Sequence, residues 1–389
     1  VPNLRFSRYN DLWIKTTLNT VVERITRRNT NNESNLPLTI SAQYGLINQN
    51  EFFNKQIASR DLTNYILLNK GEFAYNKSYS ADYPWGAVKR LDKYDKGVLS
   101  SLYICFAPKS NVDSDFLVHY FETPKWYNEI SNIAGEGARN HGLLNMAVSD
   151  YFNTKHSFPS IQEQHKISQF LNLINQRIDT QSKIIEDLEL FKKGIENQYF
   201  GYHKNNEYVI LGDIITQVNN KNEQNKDFEV LSVSNKYGFI PQSEQFDDHE
   251  VASANKSNYK IVKQNDFAYN PARINVGSIA MLKNNQVGIV SPMYICFRTD
   301  NNRILSSYLD YFSHSNKFNN AVLKNLEGSV RLCLSFESLS KIKIHLPSLD
   351  TQYEIVKNLD LISNKISIEN KILEKLKEQK KYLLSNMFI

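Results

Sequence analysis

The sequence predicts α/β (α+β) domains, two in tandem, each followed by a long α-helix. The two helices are predicted to form an antiparallel coiled coil about a pseudo-two-fold axis. Three observations carry that prediction: an internal repeat, a 4-3 apolar seam inside each copy, and short strand-like runs ahead of each seam.

The repeat is plainest at the end of each half. Residues 158–200 align without a gap to residues 346–388, and 15 of the 43 pairs are identical, among them Pro159/Pro347, Ser160/Ser348 and Gln164/Gln352. Weaker matches precede it: Phe73-Ala-Tyr-Asn76 with Phe267-Ala-Tyr-Asn270, and the run from Gly97 to Phe106 with that from Gly288 to Phe297. The offset stays between 188 and 194. The divisions that follow are 1–157, 158–200, 201–345 and 346–389. Charge respects them, because the two helical stretches sum to zero while 1–157 carries +3 and 201–345 carries +2 of the net +5.

Each helix opens on a Pro-Ser entry, where Ser160 or Ser348 is placed to cap free amides, and Glu163 stands at capping-box spacing from Ser160. The seam then runs Ile167, Leu171, Ile174, Ile178, Ile185, Leu188 in the first copy and Ile355, Leu359, Ile362, Ile366, Leu373, Leu376 in the second. Ile184, Phe191 and Ile372 widen it, and Gln181/Glu369 and Lys192/Lys380 interrupt it at matching places. About 34 residues make a rod of roughly 50 Å. Neither rod hides its stripe alone. Antiparallel pairing within the chain is the simplest answer; two helices each covering its own domain is the alternative.

Ahead of each helix, strand-like runs alternate with Asn-rich turns. In the first copy they are 38–41, 66–68, 73–76 and 99–106; in the second, 230–233, 259–262, 267–270, 278–282 and 290–297. Helical stretches follow at 114–127 and 304–319. Cys105 and Cys296 share one strand position and read as buried, while Cys333 has no counterpart. Three unpaired cysteines exclude a disulfide scaffold and fit a reducing cytoplasm. No apolar run approaches a membrane span, and Arg5, Arg8, Asp11 and Lys15 replace any apolar signal core.

Catalytic patterns are missing: no phosphate-binding glycine loop, no HExxH, no paired cysteines, and eight scattered histidines without ligand spacing. Asn270-Pro-Ala-Arg273 shares only its first two residues with the Asn-Pro-Pro-aromatic signature of amino-methyltransferases. The surface instead suits an anionic polymer. Lys77, Tyr79, Lys89 and Arg90 follow the first FAYN run, and Arg273 and Asn275 follow the second. Such side chains hydrogen-bond guanine or adenine edges and also hold phosphates; solvated loop charges are the plain alternative. Arg139 and Arg331 precede the helices as further phosphate candidates, with a cap or a structural ion pair as the other reading. Arg24, Arg27, Arg28 and Lys221 rank below them.

Taken with the Leu4-Arg5-Phe6…Trp13 segment and the Gly…Arg segments before each helix, the paired Pro-Ser…Gln entries resemble those of type I restriction-modification specificity subunits. The likeness spans almost the whole chain. His156-Ser-Phe before the first entry and Asp350-Thr after the second depart from the family pattern. The resemblance implies two target-recognition domains that read the halves of a bipartite site in double-stranded DNA. It implies helices that space the two and dock two modification (methyltransferase) subunits, which restriction (motor-nuclease) subunits join. It places no cofactor, metal or catalytic residue on this chain: S-adenosylmethionine belongs to the modification subunits, and ATP and Mg to the restriction subunits. The rivals are a standalone methyltransferase or nuclease and a coiled-coil scaffold that never touches DNA.

Overall fold

The structure is a computed structural model that describes residues 1–41, 44–55, 57–78, 83–134, 143–201, 207–245, 255–283, 287–328 and 332–389. It divides into two compact units, one of residues 1–182 with 371–389 and the other of residues 183–370.

The two long helices run Ile161–Phe200 and Leu349–Asn386. Their pairing is antiparallel, as the way each unit is built requires. In the first unit Ile167, Leu171 and Ile174, near the start of one helix, share a core with Leu383, Leu384, Met387 and Phe388, at the end of the other. In the second unit Ile195 and Phe200 share a core with Ile355, Val356 and Leu359. Of the seam residues, Ile167, Leu171, Ile174, Ile185, Ile355, Leu359 and Leu376 are buried, and Ile178, Leu188, Ile362, Ile366 and Leu373 half-buried. Ile184, Phe191 and Ile372 do not widen the seam; they face solvent.

Each unit contains the same four-stranded antiparallel sheet. In the first its order is Val22–Arg24, Ile104–Pro108, Phe73–Asn76, Ala87–Arg90; in the second, Ile215–Val218, Ile295–Thr299, Phe267–Tyr269, Ile279–Met281. The FAYN run is central in both, and its aromatic residues point to the helical side. There Phe73 stacks on Phe106 at 5.5 Å, and Phe267 on Phe297 at 4.9 Å. Cys105 and Cys296 face the other way into a smaller core, where burial pushes each thiol up to about 12. A second layer differs slightly between the copies. Two two-stranded sheets in the first correspond to one four-stranded sheet in the second. Gly97 and Gly288 lie at its close approaches, where a methyl group would overlap the side chain of Leu38 or Leu231.

Several elements are shorter than the sequence suggests. The stretch 114–127 is two helices, Ser114–Tyr120 and Pro124–Ile133, because Pro124 lacks an N–H and Thr123 caps the second by accepting from Trp126 N–H. The stretch 304–319 breaks likewise into Ser306–Ser313 and Asn316–Asn325, with Ser315 as the cap. The runs 99–106 and 290–297 are each two strands with a tight turn between. Tyr103 N–H donates to Ser100 O at 3.2 Å, and Tyr294 N–H to Ser291 O at 3.1 Å.

The helix entries explain the repeated Pro-Ser…Gln pattern. Gln164 donates from Nε2 to Pro159 O at 2.9 Å and accepts from Asp113 N–H at 2.8 Å. Gln352 donates to Pro347 O at 2.9 Å and Arg303 O at 3.0 Å, and accepts from Leu305 N–H at 2.8 Å. Each glutamine thus fastens the helix start to the loop before a domain helix. Glu163 closes no capping box, because its carboxylate is taken by Arg5.

Candidate nucleic-acid interface

Each FAYN strand ends in an Asn that closes a turn on itself. Asn76 Oδ1 accepts from Ser78 N–H at 3.0 Å, and Asn270 Oδ1 from Ala272 N–H at 3.0 Å. The next backbone carbonyl holds the segment before the helix. Leu144 N–H donates to Lys77 O at 2.9 Å, and Leu334 N–H to Pro271 O at 3.0 Å. In the second unit Gly277, at φ +89°, closes the short helical turn Ile274–Val276 in a backbone region that side chains disfavour. The start of the loop, Asn76–Ser78 and Asn270–Ala272, is therefore built alike in the two copies.

Lys77 lies in a 140 Å³ cleft with Arg24, Arg28, Ser101, Leu102 and Tyr103. Two arginines ranked low from sequence are thus brought together with Lys77. Arg28 donates to Asn64 O at 2.6 Å, which fixes its position, whereas Lys77 and Arg24 make no ion pair with a described residue. In the second unit Arg273 lines a 240 Å³ cleft with Asn270, Gln242, Tyr259, Met293 and Tyr294. Its guanidinium is exposed and bonds to no described residue, and Asn275 is exposed beside it. Lys221 is exposed and bridges through its backbone to Lys260.

Lys89 and Arg90 are not free cations. Lys89 pairs with Glu122 at 3.2 Å, and Lys380 reaches the same carboxylate at 2.9 Å. Arg90 holds Asp115 at 2.7 Å and Asp92 at 2.7 Å. The Asp115 carboxyl lies below its usual range; burial opposes that shift, and the bonds from Arg90 and Asn172 carry it. Arg90, through Asp115 and the Ser114 hydroxyl, ties strand Ala87–Arg90 to helix Ser114–Tyr120. Arg27 is similarly engaged, with Glu72 at 2.8 Å. Tyr79, Arg139 and Arg331 lie outside the described residues.

One repeated device escaped the sequence reading. Asn29 and Asn222 are fully buried and close equivalent loops, donating to Ser34 O at 2.8 Å and Lys226 O at 2.9 Å. Each also accepts from the N–H of that same residue. The signal was present as Asn29…Asn32 and Asn222…Asn225, with the second Asn of each pair at positive φ, but it is lost among many asparagines. Among the described residues there is no cluster of metal-ligating side chains, and no helix is long and apolar enough to cross a membrane.

The two units thus define a class of protein with a repeated four-stranded sheet, a cleft beside each FAYN strand and a long helix at the end of each copy. Comparison with known proteins is specific. Residues 203–378 match the family described as the type I restriction modification DNA specificity domain. The whole-chain fold resembles a chain from a structure on complex assembly and conformational transition of the type I R-M system. That match has 15% identity and a TM-score of 0.61, and covers 96% of this chain and 97% of that one. It also resembles the type I restriction-modification S subunit from M. genitalium, at 17% identity and a TM-score of 0.56, covering 100% and 99%. The match to the DNA specificity domain thus falls in the second half of the chain, and the chain as a whole shares the fold of these type I restriction-modification structures.

Proposed function

We propose that this chain is the non-catalytic specificity subunit of a type I restriction-modification complex. Residues 1–157 and 201–345 act as target-recognition domains, and 158–200 and 346–389 as spacer helices. Each domain reads one half of a bipartite site in double-stranded DNA. The helices separate the halves and dock two modification subunits. Those partners bring S-adenosylmethionine and extrude the adenine they methylate; restriction subunits, with ATP and Mg, act on unmodified DNA. The compartment of such a system is the cytoplasm.

The observation that carries this reading is the repeated loop after the FAYN strand, with a cleft beside it in each unit. Both copies place an Asn that closes a turn and a cation after the FAYN strand, Asn76 with Lys77 and Asn270 with Arg273, in a chain whose second copy matches the DNA specificity domain. The two linings differ, Lys77 with Arg24 and Arg28 against Arg273 with Asn270 and Gln242, so the two half-sites differ. Affinity comes largely from phosphate contacts and falls steeply with salt. Arg273→Ala and Lys77→Ala should each weaken DNA binding. If the side chain meets phosphate, the slope of log K against log salt falls by about 1; if it meets a base, one position of the motif relaxes instead. Unchanged binding and slope in both variants would remove these clefts from the interface.

A further inference from the structure

The turn that splits each expected long strand presents an apolar side chain. Leu102 and Met293 occupy the third position of equivalent turns, Ser100–Tyr103 and Ser291–Tyr294, and they are 63% and 57% exposed. Turn tips favour Gly, Asn, Asp or Ser. One exposed Leu is ordinary, but here the same position is apolar and exposed in both units, on the wall of both clefts.

The tips are also held rigidly. Tyr103, next in the chain, meets the Thr39 hydroxyl at 3.3 Å. The Tyr294 hydroxyl accepts from Val233 N–H at 3.3 Å, and Tyr294 O accepts from Lys260 at 2.7 Å. A fixed apolar group among cations and amides has one complement on the major-groove edge of DNA, the C5-methyl of thymine.

On the reading that these domains bind DNA, we propose that Leu102 and Met293 are specificity-determining residues, each packing on a thymine methyl in its own half-site. The contact involves no chemistry, only the burial of one methyl group, so its loss costs roughly fourfold in affinity.

The test selects binding sites for the full chain from randomised duplexes containing thymine, then repeats the selection with deoxyuridine in place of thymidine. The parent should lose its thymine preference at one position of each half-site in the uracil pool. Leu102→Ala should lose it at one half-site and Met293→Ala at the other, in the thymine pool, with the remaining positions unchanged. Both side chains are exposed, so melting temperatures should match the parent. Retention of the full thymine preference by both variants, or a parent indifferent to uracil, overturns the proposal while leaving sequence-specific binding intact. A parent that selects no motif at all defeats the DNA-binding reading, and this inference with it.

Discussion

Arg5 donates from Nε to one oxygen of Glu163 and from Nη2 to the other, both at 2.7 Å, with the Glu163 side chain almost fully buried. The pair ties the start of the chain to the first turn of the first long helix. The guanidinium's hold on its proton is strengthened first by the hydrogen bond to Glu163. Glu163→Gln keeps the shape and removes the charge, leaving Arg5 with half a partner. It should destabilise the first unit by about 2 kcal/mol in denaturant titration. A loss under 0.5 kcal/mol would mean the pair is incidental.

Gln164 and Gln352 perform one task in two copies, so replacing either should be felt. Alanine at each leaves a half-buried backbone N–H, of Asp113 or Leu305, without its acceptor. Each substitution should cost about 1–3 kcal/mol. Gln352→Ala should cost the more, because Gln352 also holds Arg303 O. Equal melting temperatures for parent and both variants would contradict this account of the repeated motif.

His156 is buried, with Nδ1 at 2.7 Å from the Tyr120 hydroxyl and Nε2 at 2.7 Å from the Thr154 hydroxyl. Burial lowers its pKa to about 4. An unfolded histidine titrates near 6.5, so between those values the unfolded chain binds a proton that the native chain refuses. Stability contributed by this group is complete above about pH 6.5 and falls as the pH drops toward 4. His119, also buried, is shifted in the same direction, chiefly by desolvation, and adds to the slope. His156→Gln should flatten the fall between pH 6 and 4 seen in urea titrations of the parent. An unchanged pH profile would show that His156 does not carry it.

Seam and surface positions separate cleanly within each helix. Leu171 and Leu359 are fully buried, whereas Leu173 and Leu361, two residues on, are 62% and 61% exposed. Leu171→Ala and Leu359→Ala should each cost about 2–5 kcal/mol, and Leu173→Ala and Leu361→Ala within about 0.5 kcal/mol of nothing. Comparable losses at all four positions would refute the seam.

The long helices and their antiparallel partnership were legible because a 4-3 repeat over many turns has few other solutions, and because the repeat supplied each stripe with a match. Of the FAYN sheet the central strands were legible, but Val22–Arg24, Ala87–Arg90 and Ile215–Val218 were not, since each is short and carries charged or polar residues. The turns at Ser100–Tyr103 and Ser291–Tyr294 were overlooked although Ser100-Ser101 and Ser291-Pro292 mark them, because the apolar residues on either side read as one run; the Tyr-to-Ser backbone bond closes each turn. The candidate cations were harder still. Lys89 and Arg90 look free in sequence, yet Glu122 and Asp115, which neutralise them, lie 33 and 25 residues away. Arg24 and Arg28 join Lys77 only because strand Val22–Arg24 and the loop after it pack beside the cleft. Ion-pair partners and cleft walls are tertiary facts, and a linear pattern carries neither.

The central claim is that two similarly built domains read two different short sequences at a fixed separation. Selection of bound sites from a randomised duplex pool tests it most directly. The account predicts two dissimilar short motifs with an unselected spacer of constant length between them. Exchange of residues 201–345 for the corresponding part of a known type I specificity subunit should change one motif and leave the other. A single contiguous motif, or one that persists when either domain is exchanged, would contradict it.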